Sequence, residues 1–324
     1  MSRAGHLYVS AVEAIGDTPL VELSRLTRDT GGRILAKLDN LNPGHSKKDR
    51  IARQIIETAR ADGSLAPGQP VIELTSGNTG TGAAIVCAVL GHPFIAVMSR
   101  GNSPERARMM AALGAEVVLV DQAPGSLAGQ VSGDDLVLVE AETQRQMAAR
   151  GAFRIDQFVR TGNALAHELT TGPEIWMASG GSVTAHCDLV GSGGSFAGLH
   201  RAFTARNPAV RGYIVEPANA AVLAGATVTG GHALQGGGYA MRDLPQLEGV
   251  VADGHIAISD AEAKAAARRL AREEGILGGF SAGANVAAAL KLLAGPEAGG
   301  TIAVMICDSG MKYLSTDLWD DPVR

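Results

Sequence analysis

Short apolar runs alternate with helical patterns along almost the whole chain. Residues 33–38 (RILAKL), 70–74 (PVIEL), 94–98 (FIAVM), 116–120 (EVVLV), 185–190 (AHCDLV), 212–216 (GYIVE) and 301–307 (TIAVMIC) predict strands. Most are apolar throughout rather than alternating, the mark of parallel strands covered on both faces. Between them, 49–62 sets Ile51, Ile55 and Ile56 on one face of a helix. Further helices are expected at 79–90, 104–113, 138–149, 195–206, 259–274 and 283–294. Ser259 and Glu262 have the spacing of a capping box at the head of one of them. Such alternation argues for an α/β protein with mostly parallel sheets. The Gly-, Ser-, Pro- and Asp-bearing stretch 121–136 has the look of a connection.

Composition narrows the class. At roughly 150 residues per domain, 324 residues predict two domains. With 46% hydrophobic and 19% charged residues, intrinsic disorder is excluded. Only 4% are aromatic, whereas 42 are glycine, so the core is built from small aliphatic residues and glycine shapes the backbone. A net charge of −5 offers no basic field for nucleic acid. Cys87, Cys187 and Cys307 are far apart, without metal-ligand or disulfide-framework spacing, and read as small buried hydrophobes. No metal site is expected. The N-terminus lacks the apolar stretch of a signal peptide, and no run is long enough to span a membrane, so the expected location is the cytoplasm.

Four glycine- or lysine-bearing loops carry the candidate chemistry. In Asn42-Pro43-Gly44-His45-Ser46-Lys47-Lys48-Asp49-Arg50, Ser46 and Asp49 have the spacing of an N-cap and its partner, so a helix should start there. Lysine is electrostatically misplaced at a positive helix end. Either these are solvated surface lysines, or one is an amine of lowered pKa able to form a Schiff base. Thr75-Ser76-Gly77-Asn78-Thr79-Gly80 follows a strand and opens an apolar helix; its N–H groups suit a carboxylate, or it is an ordinary capped turn. Gly191-Ser192-Gly193-Gly194-Ser195 lies between a strand and a helix and can grip a phosphate. Phe196 stands where a dinucleotide fingerprint needs its third glycine, although Glu216 sits where a ribose-binding acid would be. Ser281 in Gly279-Phe280-Ser281-Ala282-Gly283 is a helix cap or a ligand.

Together these segments resemble the cysteine synthase family, the pyridoxal-phosphate enzymes that include O-acetylserine sulfhydrylase and cystathionine β-synthase. The resemblance runs from Ile15-Gly16-Asp17-Thr18-Pro19-Leu20 to Tyr313-Leu314-Ser315-Thr316, with Thr170-Thr171-Gly172-Pro173-Glu174-Ile175-Trp176 and Glu273-Glu274-Gly275-Ile276-Leu277 between. It implies a tryptophan synthase β-like fold of two three-layer αβα domains. Residues 45–150 would form a smaller mobile domain and 1–44 plus 151–324 a larger one, with pyridoxal 5′-phosphate in the cleft between them and the molecule a homodimer. Lys48, rather than Lys47, would carry the cofactor. Thr75, Ser76, Gly77, Asn78 and Thr79 would bind the substrate carboxylate, completed by Gln157, with Gly236 bordering the substrate and Asn78 also facing the cofactor ring. Gly191, Ser192, Gly193, Gly194 and Ser195 would hold the cofactor phosphate and Ser281 the pyridine nitrogen.

The implied activity is β-replacement on an activated L-serine, O-acetyl-L-serine by expectation, with a sulfur nucleophile. The product would be L-cysteine or a similar amino acid, reached through an aminoacrylate. Departures fall in the loops expected on the substrate side: His45 and Lys47, Gly101-Asn102-Ser103, Phe158-Val159-Arg160-Thr161-Gly162-Asn163, and Gln235-Gly236-Gly237-Gly238-Tyr239. O-phosphoserine, serine or a non-sulfur nucleophile therefore stay open as partners. So do a serine or threonine deaminating lyase and a catalytically inactive binding protein on the same fold; Lys48, Asn78 and Ser281 speak against the last.

Overall fold

The apolar runs assemble into two sheets. The computed structural model describes residues 5–75, 77–126 and 131–320. Its strands are β1 (Leu20–Glu22), β2 (Arg33–Lys37), β3 (Val71–Leu74), β4 (Phe94–Ser99), β5 (Glu116–Val120), β6 (Phe153–Arg154), β7 (Ala185–Leu189), β8 (Arg211–Pro217), β9 (Gly254–Ile258) and β10 (Thr301–Met305). Its helices are α1 (Lys48–Ala61), α2 (Asn78–Leu90), α3 (Pro104–Ala112), α4 (Gly133–Arg150), α5 (Gly162–Ala166), α6 (Gly172–Ala178), α7 (Gly194–Thr204), α8 (Asp260–Glu274) and α9 (Phe280–Leu293). A π-helical turn, His167–Thr171, joins α5 to α6.

One unit comprises Asn42–Gly162 and the segment up to Ile15. Its sheet has the order β5-β4-β3-β6, every pair parallel. Val71, Phe94, Ala96 and Met98 share a core with α1, α2 and α3, while Ile72, Ile95 and Val97 pack with Val139 of α4 on the other face. Two buried faces explain why β3 and β4 are almost wholly apolar.

The other unit comprises Gly16–Leu41 and the chain from Asn163 onward. Its sheet has the order β1-β2-β10-β7-β8-β9, parallel except for β1 against β2. Ile34, Ala36, Cys187, Val215 and Val304 pack with α8 and α9; Leu35, Ala303 and Met305 pack with α6 and α7. Each unit is therefore a helix–sheet–helix sandwich, the layering expected for the α/β class.

The division falls after Gly162 rather than after residue 150, because β6 pairs with β3 at Val71 and Ile72 and ties 151–162 to the four-stranded sheet. Val12 and Ile15 also enter that unit's core. The helix at Lys48 is not capped as expected. Its N-cap is Lys47, whose side chain makes no capping bond, the Ser46 hydroxyl accepts the Lys48 N–H at 3.3 Å, and the Asp49 carboxylate accepts the Gly44 N–H. The Ser259–Glu262 capping box is present. All three cysteines are free and buried. Among the described residues no helix is long and apolar enough to cross a membrane, and no group of three or more His, Cys, Asp or Glu could hold a metal.

Candidate active site

Lys48 opens α1 and is half-buried. Its Nζ donates to Gln157 Oε1 at 2.9 Å, and the Thr79 hydroxyl donates to the same oxygen at 2.9 Å. Thr79 stands in the first turn of α2, which the loop from residue 75 feeds. That loop is braced from within: the Thr75 hydroxyl accepts the N–H groups of Gly77 at 3.1 Å and Gly80 at 2.9 Å. Gly77, the N-cap, has φ 149°, and a Cβ there would lie 2.8 Å from Arg106 Cδ, so only glycine fits. Ser76 lies outside the described residues. The structure thus brings Lys48, Thr79 and Gln157 together, with Thr75, Gly77 and Asn78 in the adjoining turn.

Gln157 follows β6 on a strained turn. Asp156 has φ 44°, unusual for a residue with a side chain, and its N–H donates to Glu73 Oε2 at 2.8 Å. Glu73, on β3, is fully buried and also takes the Gln157 N–H; desolvation pushes its carboxyl up to about 7.

In the other unit, residues 191–195 link β7 to α7. Gly193, with φ 86°, is the N-cap, and no side chain caps the helix, so the first-turn N–H groups have no intrahelical acceptor. A Cβ on Gly191 would lie 2.5 Å from the Gly236 carbonyl oxygen, and one on Gly194 would lie 2.1 Å from Asn163 Oδ1. Gly236, expected beside the substrate, is therefore also the wall against which Gly191 sits. Asn163 Nδ2 donates to the Ser192 hydroxyl at 2.8 Å, while the Ser195 hydroxyl donates to Asp188. Ser281 is buried in the first turn of α9, but the cap is Gly279, so the simple capping role does not apply. One turn on, Asn285 Nδ2 donates to Asp188 Oδ1 at 3.0 Å and its Oδ1 accepts the Leu189 N–H at 2.6 Å, tying α9 to the strand that feeds the glycine loop.

Within its own unit, the start of α7, with no side-chain cap and with glycines too closely approached to bear a Cβ, offers N–H groups suited to a phosphate. In the other unit the primary amine of Lys48 is a group that can bond an aldehyde. Glu216 is unsuited to a ribose: it accepts the N–H groups of Leu223 and Ala224 at 2.8 and 2.9 Å.

Comparison with known proteins settles the kinship. Residues 12–308 match the family model of pyridoxal-phosphate dependent enzymes. The chain belongs to this family. It is 38% identical to cysteine synthase 3 of Caenorhabditis elegans over 312 residues, 95% of this chain and 89% of that protein. It superposes on the crystal structure of O-acetylserine sulfhydrylase isoform 3 from Entamoeba histolytica with a TM-score of 0.91 at 34% identity, covering 100% of this chain and 95% of that one. The structure of O-ureido-L-serine synthase gives 0.85 at 34% identity, covering 98% and 97%. The chain is thus a pyridoxal-phosphate enzyme of the cysteine synthase type, catalysing β-replacement.

Sequence reasoning passed over Glu73, Asp188 and Asn285, which support these loops. The available signal was an ionisable residue inside an otherwise apolar strand: Glu73 in 70–74 and Asp188 in 185–190. A buried charge is expensive and is kept only where it is bonded.

Proposed function

We propose that the enzyme makes L-cysteine from O-acetyl-L-serine and sulfide, with acetate as the leaving group. The observation that carries this reading is the oxygen shared by Lys48 and Thr79: it sets a proton-carrying amine beside a turn suited to an amino-acid carboxylate. In this reading Lys48 bears the cofactor, Gly191, Ser192, Gly193, Gly194 and Ser195 hold its phosphate, and Asn78 and Ser281 meet its ring. Bound there, pyridoxal phosphate supplies an electron-withdrawing ring that acidifies the Cα–H of an attached amino acid.

The chain's own residues do the rest. Thr75, Ser76, Gly77, Asn78, Thr79 and Gln157 bind the α-carboxylate, which fixes Cα within reach of Lys48. Freed when the substrate's amino group takes its place on the cofactor, the Lys48 amine would remove the Cα proton as acetate leaves Cβ. Sulfide then adds at Cβ, and Lys48 returns the proton to Cα. Ser281 offers a neutral hydroxyl, which favours β-elimination over reactions that need a strongly protonated ring. Homodimer formation and a cytoplasmic location complete the proposal; three buried free thiols suit a reducing compartment.

The test is Lys48→Ala, with folding checked by circular dichroism. Cysteine formation should fall by about 10³-fold or more. An active variant would refute the assignment. Screening O-acetylserine, O-phosphoserine and serine against sulfide, thiosulfate, homocysteine and amines then fixes donor and nucleophile.

A further inference from the structure

The mechanism leaves one buried acid without a role. Glu73 lies in the middle of β3, 2% exposed, between Ile72 and Leu74. Its carboxylate accepts two successive backbone N–H groups, those of Asp156 at 2.8 Å and Gln157. The turn it grips is strained at Asp156, whose φ of 44° a residue with a side chain seldom adopts unless its surroundings impose it. The next residue, Gln157, presents the amide oxygen that both Lys48 Nζ and Thr79 Oγ1 reach at 2.9 Å. A straight path of hydrogen bonds thus leads from the four-stranded sheet to the site.

A structural role alone explains this poorly. An apolar residue in β3 would fill the same space at no desolvation cost, as its neighbours Val71 and Ile72 do. What an apolar residue cannot do is hold two adjacent N–H groups in a left-handed turn. Arg154 on β6 and Asp156 in the turn are the charged groups that act on Glu73.

We propose that Glu73 is a positioning residue of the substrate-carboxylate site: by holding the Asp156 and Gln157 N–H groups it fixes the Gln157 amide between Lys48 and Thr79. It touches neither substrate nor cofactor. The inference rests on the reading of Gln157 as part of the carboxylate site.

The experiment uses the holoenzyme at pH 8, where the Glu73 carboxyl is ionised, and Glu73→Gln, which keeps size and one acceptor oxygen, with Glu73→Asp as the conservative partner. Calorimetry with L-alanine, which carries the α-carboxylate but no leaving group, measures the carboxylate site without turnover. In Glu73→Gln the L-alanine Kd and the donor KM should rise together by about tenfold, the worth of a lost hydrogen bond to a charged group, while kcat changes by less than about threefold. Amide exchange in the 154–158 peptide should accelerate, and Glu73→Asp should recover part of the affinity. A folded, cofactor-loaded Glu73→Gln with wild-type L-alanine affinity, or with unchanged exchange at 154–158, overturns the assignment. Failure of the carboxylate reading itself looks different: there the wild-type enzyme fails to bind L-alanine at all.

Discussion

The Asn163 side-chain amide donates to the Ser192 hydroxyl at 2.8 Å, which leaves the Ser192 proton directed away from its partner. Three residues on, Ser195 uses its hydroxyl in the opposite sense and donates to Asp188. A hydroxyl has a single proton, so Ser192 can donate to a phosphate while Ser195 offers only its backbone N–H. Ser192→Ala should therefore weaken pyridoxal-phosphate binding by roughly tenfold, the scale of a hydrogen bond to a charged group. Ser195→Ala should change it by less than about threefold and instead lower the melting temperature, because the buried Asp188 loses a donor. Equilibrium dialysis and thermal melts separate the two; equal losses of affinity would show that both hydroxyls face the anion.

Gly77→Ala tests the carboxylate turn. With φ at 149°, alanine is strained whatever the space, and its Cβ would press on Arg106 Cδ at 2.8 Å. The expected cost is about 1–3 kcal/mol of stability. The donor KM should rise more than kcat falls, because the turn is displaced while Lys48 stays on α1. A variant with unchanged KM would mean that this turn does not bind the substrate.

Much of the architecture is visible in the sequence because both sheets are covered on both faces. Runs such as 94–98 and 302–307 stay apolar for five residues or more, as strands covered on both faces do. Less visible were β6, two residues long, and β9, whose Gly254–Ile258 alternates in burial at the sheet edge. The stretch 162–178 shows no helical period because a π turn and Gly172-Pro173 interrupt it. The site divides in the same way. Glycine loops at strand ends announce themselves through spacing, whereas Gln157 is placed by a two-residue strand and a buried acid far away in sequence. Local pattern carries no trace of that contact. The helix cap at Ser46 failed for a related reason, since Asp49 turns to the Gly44 N–H instead of the helix start.

The cysteines should be inert in the folded protein. Burial pushes the Cys87 thiol up to about 12, and burial reinforced by the nearby Asp188 pushes Cys187 up further. A thiolate is the reactive form, so an aromatic disulfide reagent at pH 8 should label none of the three natively and all three after denaturation. Rapid native labelling of one thiol would show that its surroundings open.

Two buried groups should bend the pH dependence of stability in opposite directions. Glu73, pushed up to about 7 by desolvation, binds a proton more tightly in the folded chain than in the unfolded one. Its contribution is therefore fully present below about pH 4.5 and is lost as pH rises toward 7, a change of about 3 kcal/mol. His186, fully buried on β7 beside His200 at 3.2 Å, is pushed down to about 3 by desolvation and by its neighbour. It stays neutral in the fold, so its contribution is present above about pH 6.5 and is lost as pH falls toward 3. Between pH 4.5 and 6.5 the two slopes oppose each other, and the wild-type profile should be flatter than either alone. Urea titrations across this range should show Glu73→Gln losing stability more steeply on acidification than the wild type, since the opposing Glu73 slope is gone. His186→Phe should gain stability on acidification over the same range, whatever its offset from lost packing. If both variants keep the wild-type slope, neither group titrates between the folded and unfolded states in this window.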